Sequence, residues 1–276
     1  MTTITNTKPA GPVTPAGRRD PRAVWRRRLR SLRGTAGRLV IVVALGAVLE
    51  WAVASGRISQ VQLPRPTDML RALVEGLLDG HYLRLLGVTL AETGVAFTAA
   101  AVVGTTLGYL LWRRPILGRA YEPALYALAS APIVLLYPVL LVVFGRNPVA
   151  VTVLGFLAGL LPVLITTFQA FQRLNPTYLK VARVMRLTDR QAFLRVLLPA
   201  AMPSVVVGLR LGLTFTLLNV LGMEYLAGIG GVGSEISLAY TRLRSDEMYG
   251  ALVLSIALSV AFLLLLNRLT ERVMRR

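Results

Sequence analysis

From Leu39 onward the chain is a succession of apolar runs almost free of charge, each about as long as a membrane helix needs. A bilayer core of roughly 30 Å is crossed by roughly 20 helical residues, and the absence of water there forces every backbone N–H and C=O to be satisfied within the segment. The fold class that follows is all-α: a polytopic membrane protein of about six transmembrane helices. The runs lie at about 39–55, 85–112, 121–144, 149–171, 200–226 and 249–266. With 55% hydrophobic residues among 276, the chain is also too apolar for an ordinary soluble domain.

The net charge of +18 suggests a nucleic-acid partner until its distribution is read. Residues 1–38 hold ten Lys or Arg and one Asp, with little apolar content and several Pro and Thr. Such a segment is expected to be a disordered, basic, cytoplasmic tail attracted to anionic lipid, and no nucleic-acid module is predicted. Ala52-Val53-Ala54 imitates a signal-peptide cleavage site and Arg18-Arg19 a twin-arginine signal. The basic region is too long for either, and further spans follow, so an uncleaved first span is expected. The chain then divides into the tail 1–38, a first helix with its outer connection at 39–84, and a main transmembrane domain at 85–276 that contains a basic loop at 173–199.

Six spans put both termini on one side. The tail, the 113–119 turn, the 173–195 stretch and the C-terminus together hold 23 basic residues, whereas the opposite connections hold seven. Positive charge is retained inside, so both termini and the 173–199 loop are expected in the cytoplasm.

That loop reads as two short helices. Asn175 can cap a helix that Pro176 opens at its first position, and Thr188 with Gln191 forms a T-x-x-Q capping box for a second. The second helix is expected to continue through Phe193 and Leu197 until Pro199 interrupts it. At about 100° per residue, Tyr178, Val181, Ala182 and Met185 share one face of the first helix, with Lys180, Arg183, Arg186 and Arg190 projecting elsewhere. A central Lys or Arg costs roughly 2.5–3.5 kcal/mol in a bilayer, so this segment lies in water. Its apolar face is covered either by the chain's own membrane domain or by a partner.

Gly104 and Gly108, Gly155 and Gly159, and Gly208 and Gly212 are G-x-x-x-G pairs in three different spans and predict close helix packing. Prolines at 132, 138, 162 and 203 predict bent or broken helices. On the fifth span Arg210, Thr214 and Glu224 share a stripe, and Arg210 and Glu224 lie ~21 Å apart along the axis, too far to pair. They serve either interhelical pairing or the border of a transport path. Glu50 and Glu92 are expected to find arginine partners in the outer halves of their spans.

Chemistry is mostly excluded. There is no cysteine, which removes disulfides and thiolate sites, and the one histidine, His81, lies in a polar connection. Gly228 to Gly233 formally match G-x-G-x-x-G, but no βαβ context surrounds them and a flexible turn is expected. No G-x-x-x-x-G-K-[ST] occurs, so the chain is expected to bind no cofactor and to hydrolyse no ATP by itself.

The 173–199 loop resembles the cytoplasmic loop of permease subunits of bacterial ABC importers. That pattern begins Glu-Ala-Ala, has Gly four residues after the second Ala and ends near Leu-Pro. Here it is matched by Lys180-Val181-Ala182, Arg186 and Leu198-Pro199. The pieces at 63–73 and 199–213, and Glu224 four residues before a Gly-rich turn, resemble the nitrate, sulfonate and taurine branch, and the likeness covers about 60–276. The resemblance implies a bacterial inner-membrane importer subunit working with a second permease subunit, identical or different, and with an extracytoplasmic solute-binding protein. A cytoplasmic ABC ATPase dimer would bind the ATP. It also implies that Tyr178, Lys180, Val181, Ala182, Met185, Arg186, Thr188 and Asp189 form the loop that couples to this ATPase. Two residues depart from the pattern. Lys180 reverses a charge, and Arg186 replaces the glycine that permits the turn, so the bend is expected at Leu187-Thr188 instead. The competing class, an ion-coupled secondary carrier working without an ATPase, needs a titratable relay near the midplane, and none is evident.

Overall fold

The computed structural model describes residues 40–41 and 43–274, with side chains through Arg268. The basic tail 1–38 lies outside the described residues. Among those described, every regular element is helical. In chain order they are α1 (Val43–Ala54), α2 (Pro66–Leu78), α3 (His81–Arg113), α4 (Pro115–Ser130), a 3-10 turn at Ile133–Leu136, α5 (Tyr137–Phe144) and α6 (Pro148–Gln172). There follow α7 (Pro176–Val184), α8 (Asp189–Ala192), a π-helical turn at Phe193–Leu197, α9 (Leu198–Ala227), α10 (Gly231–Thr241) and α11 (Ser245–Met274).

Four single helical runs are long and apolar enough to cross a membrane, and a bent pair supplies a fifth. The described part of α1 is apolar but shorter than a full crossing. The third span departs from expectation. It begins at Pro115, and its two halves meet at 83°. Ala131 precedes Pro132 and is held extended at ψ 135, which stops α4 before the chain re-enters a helix. Pro138 sits in the first turn of α5, where its missing N–H costs nothing. α6 and α9 stay continuous through Pro162 and Pro203. Of the four prolines, only Pro132 therefore marks a break between helices.

The core is the packing of α3, α6 and α9, and all three G-x-x-x-G pairs lie within it. A Cβ at Gly159 would stand 2.1 Å from Thr216 Oγ1 and 3.0 Å from the Gly212 carbonyl. One at Gly104 would stand 2.9 Å from Val163, and one at Gly108 2.7 Å from the Leu164 carbonyl. Close backbone approach is what these glycines supply. The end of the bundle opposite the 173–199 loop is tied by α2, whose Leu73 and Leu77 pack on Tyr82, Ala251 and Leu254. Glu50 does not pair with an arginine. It accepts the Thr67 N–H at 3.2 Å and the Thr67 hydroxyl at 2.9 Å, satisfying a donor left free at the start of α2.

Residues 228–247, expected as a loop with a flexible turn, instead build α10 and a tight return. Gly228 at φ 60 ends α9, and Gly230 and Gly231 also have positive φ. A Cβ at Gly231 would lie 2.0 Å from Glu224 Oε1, so this turn is shaped by the side chain it encloses.

Candidate coupling site and intramembrane polar groups

The 173–199 loop forms the two expected helices. Asn175 Oδ1 accepts the Thr177 N–H at 2.9 Å, and both arms of the Thr188–Gln191 capping box are made. The bend is not at Leu187-Thr188. It falls on Arg186, which takes φ 47 despite its Cβ. The Leu187 N–H reaches the Ala182 carbonyl at 3.1 Å and the Arg186 N–H the Arg183 carbonyl at 2.9 Å. These two bonds are those of a Schellman ending, so an arginine occupies the position that glycine usually fills. The two bonds across the turn hold a conformation the residue alone disfavours.

The second helix is not a separate element ended by Pro199. After α8 the backbone widens into the π turn and runs on into α9. A proline at 199 cannot donate, and its ring crowds the carbonyl four residues back, at Arg195. The wider turn absorbs that conflict without breaking the axis. The elbow is thereby joined to α9 by one continuous helical path.

The apolar face of α7 is rotated from the one periodicity suggested. Ala182 is 5% exposed, turned inward beside Leu179, which packs with Phe171, Leu197 and Phe193. Tyr178, Val181, Val184 and Met185 are uncovered, at 44%, 42%, 83% and 62% exposure. Lys180, Arg183, Arg186 and Arg190 are exposed around them. Thus Ala182 is part of the elbow's own packing, and Val184, absent from the expected set, replaces it on the open face.

The elbow is rooted by an aromatic cluster that sequence reasoning missed. Phe193 lies 4.3 Å from Tyr109 between ring centroids, and Phe171 lies 5.3 Å from both Tyr109 and Trp112. These rings come from the π turn, α3 and α6, so three segments meet at the elbow's base. Asp189 adds an ion pair with Arg113 at 2.8 Å at the end of α3. The hydrogen bond and charge of Arg113 hold the exposed Asp189 carboxyl below its ordinary range.

Within the membrane, Arg210 and Thr214 are half-buried, and the Thr214 hydroxyl donates to the Arg210 carbonyl at 3.0 Å. Among the described residues Arg210 makes no ion pair. Glu224 has different surroundings. It is 0% exposed, with Oε1 accepting the Thr89 hydroxyl at 2.7 Å and Oε2 the Gly233 N–H at 2.8 Å. Among the described residues Glu92 has no arginine partner; it is buried one turn along α3 from Thr89, the residue bonded to Glu224. Between the bent third span, α6 and α9 is an apolar cleft of about 470 Å³, lined by residues including Tyr126, Pro132, Thr166, Leu211, Phe215 and Asn219. The sequence signalled only the Pro132 break beside it.

Residues 100–276 match the profile of the family described as "Binding-protein-dependent transport system inner membrane component". Among curated proteins, the chain is 30% identical to the nitrate import permease protein NrtB of Synechocystis over 226 residues, covering 78% of this chain and 81% of that one. It is 27% identical to the bicarbonate transport system permease protein CmpB of the same organism, covering 74% and 77%. It is 26% identical to the putative aliphatic sulfonates transport permease protein SsuC of Bacillus subtilis, covering 74% and 75%. Among solved structures, a chain of the inward-facing MetNI methionine ABC transporter superposes with a TM-score of 0.60 at 22% identity. That match covers 70% of this chain and 95% of the other.

Proposed function

The chain belongs to the family of binding-protein-dependent transport system inner membrane components, and from that premise we infer how this ABC importer permease is driven and what it carries. It is a multi-pass transport subunit of the inner membrane and not itself a catalyst. Its α7–α8 elbow is the surface gripped by a separate cytoplasmic ATPase. The observation that carries this reading is the uncovered patch of Tyr178, Val181, Val184 and Met185, ringed by four cations and rooted in the ends of α3 and α6. An apolar patch in water gains by being covered, and the cations favour a groove of acidic character. Thr188 and Asp189 set the angle of α8, while Lys180 and Arg186 present charge to the partner.

The orientation follows from charge: positive residues concentrate on the elbow's side, which puts it and both termini in the cytoplasm. The transport path runs along the cleft beside the bent third span, where a second permease subunit completes it. An extracytoplasmic binding protein supplies the solute. The relatives named above are a nitrate, a bicarbonate and an aliphatic sulfonate permease, which share a small oxyanion. Arg210, which makes no ion pair among the described residues and adjoins Leu211 of that cleft on α9, is the mid-span group suited to one, and Thr214 supports its turn of helix. ATP-driven closure of the partner would swing the elbow, and α9 would carry the movement to the path.

The test begins from the cysteine-free chain. Val184→Cys is labelled by an impermeant maleimide only from the cytoplasmic side. In proteoliposomes with the ATPase and binding protein, Met185→Asp abolishes ATP-driven uptake of nitrate, bicarbonate or an alkanesulfonate while the chain still inserts. Labelling from outside, or full uptake by Met185→Asp, refutes the assignment.

A further inference from the structure

At the outer end of the bundle two carboxyl groups lie together where no water reaches them. Both oxygens of Glu224 are occupied by donors, the Thr89 hydroxyl on Oε1 and the Gly233 N–H on Oε2. Thr89 accepts the Val232 N–H at 3.0 Å and gives its own hydrogen to Glu224 at 2.7 Å. Two donors on two oxygens is the pattern of an ionised carboxylate, which only accepts. Glu92 stands one turn along α3 from Thr89, on the same face, and is 5% exposed. Neither of its oxygens receives a donor from the described residues, and Thr89, one turn away on its own face, is bonded to Glu224, which places both carboxyls in one buried site. A buried carboxylate with no donor and a like charge in the same site is untenable, whereas a carboxylic acid there has one hydrogen to give.

We propose that Glu92 and Glu224 share a single proton, carried by Glu92 and donated to ionised Glu224, and that this proton fastens α10 to α3 and α9. The space around the pair is built for it. A Cβ at Gly231 would lie 2.0 Å from Glu224 Oε1, and one at Gly233 would lie 2.4 Å from the Leu221 carbonyl. Other charged groups nearby are already engaged. Glu235 of α10 pairs with His81 at 3.1 Å, Glu247 of α11 with Arg244 at 2.7 Å, and Arg146 donates to the Ala227 carbonyl at 2.7 Å. α6, packed one turn deeper, presents Leu154 and Gly155 and no charge. The pair therefore has no cation to neutralise it, and the proton takes that role. The clamp acts on the outer mouth whichever solute is carried, and it stands apart from the ATPase assignment.

The two glutamates are chemically unequal in this arrangement, which makes it testable in the full chain purified with its partners. Glu92→Gln replaces an O–H donor by an N–H donor and retains assembly within about twofold of wild type. Glu224→Gln turns its amide N–H to the Thr89 oxygen and leaves the buried Thr89 hydroxyl hydrogen without its acceptor, and folded, assembled protein falls by about tenfold. Infrared spectra of the wild type at neutral pH show the C=O stretch of a protonated carboxyl, absent from Glu92→Gln. The proposal is overturned if the infrared band is missing, or if Glu92→Gln is as damaging as Glu224→Gln. It is equally overturned if Glu224→Gln is harmless, or if stability rises with sodium concentration, which would make the pair a cation site.

Discussion

Arg186 is the residue whose replacement reports most directly on the elbow. It sits at φ 47, where an L side chain brings its Cβ against the following carbonyl at a cost of about 1–2 kcal/mol. Arg186→Gly removes that cost but enlarges the freedom of the unfolded loop, which returns about 0.5–1 kcal/mol. The expected net gain is about 0.5–1 kcal/mol, since the two bonds of the turn, Leu187 N–H to Ala182 at 3.1 Å and Arg186 N–H to Arg183 at 2.9 Å, remain. At 1.4 kcal/mol per tenfold, hydrogen exchange of the Leu187 amide slows by about 2- to 5-fold if the turn opens locally. Arg186→Asn, a residue that tolerates this conformation, lies between, and Arg186→Val exchanges faster than wild type because β-branching makes positive φ costlier. The Asn variant also removes the charge while keeping a side chain, so its uptake separates charge from geometry. Faster exchange at Leu187 in Arg186→Gly, or slower exchange in Arg186→Val, refutes the reasoning.

Three further perturbations probe the packing. Gly159→Val drives methyl groups into Thr216 Oγ1 and the Gly212 carbonyl and costs about 1–3 kcal/mol or more, read as a lower midpoint of thermal unfolding. Gly94→Ala, which meets nothing within 4 Å, leaves that midpoint unchanged or slightly higher. Phe193→Ala removes the ring 4.3 Å from Tyr109; because Phe193 is only half-buried the cost is about 2 kcal/mol. ATP-driven uptake then falls while exchange in α7 and α8 quickens. The contact of Asp189 with Arg113 is present above the ordinary carboxylate range and is lost as pH falls through the lowered value, so protection of α8 declines on acidification in wild type but not in Asp189→Asn.

The features legible in advance were those whose cause is local. Asn175 caps α7 and Thr188 with Gln191 boxes α8 because each side chain needs only backbone donors two or three residues away. The glycine pairs were legible as packing signals because a missing side chain means the same in every membrane helix, and their partners lie in α3, α6 and α9 as expected. Arg186 went the other way. Its identity argued against a left-handed turn, and the turn formed there because two backbone bonds outweigh one residue's preference. Ala182 and Val184 exchanged places for a related reason: periodicity orders residues around a helix, but what lies beside α7, here Leu179 against Phe171, Leu197 and Phe193, decides which side is inside.

Glu50 and Glu92 mark the limit most clearly. Sequence could say that a carboxyl at membrane depth needs a partner, and it named arginine as the usual one. Only the fold brought Glu50 to the first turn of α2 and Glu92 to Glu224, because those meetings depend on how helices far apart in the chain are laid together. Apolar run length, charge asymmetry and capping residues by themselves determined a helical membrane protein with a basic elbow, since the energies behind them act within one segment or against solvent. Which side chains enclose the buried charge, where the third span breaks and how the elbow is bolted to α3 and α6 were decided by tertiary packing, where contacts between distant segments outweigh each segment's own preference.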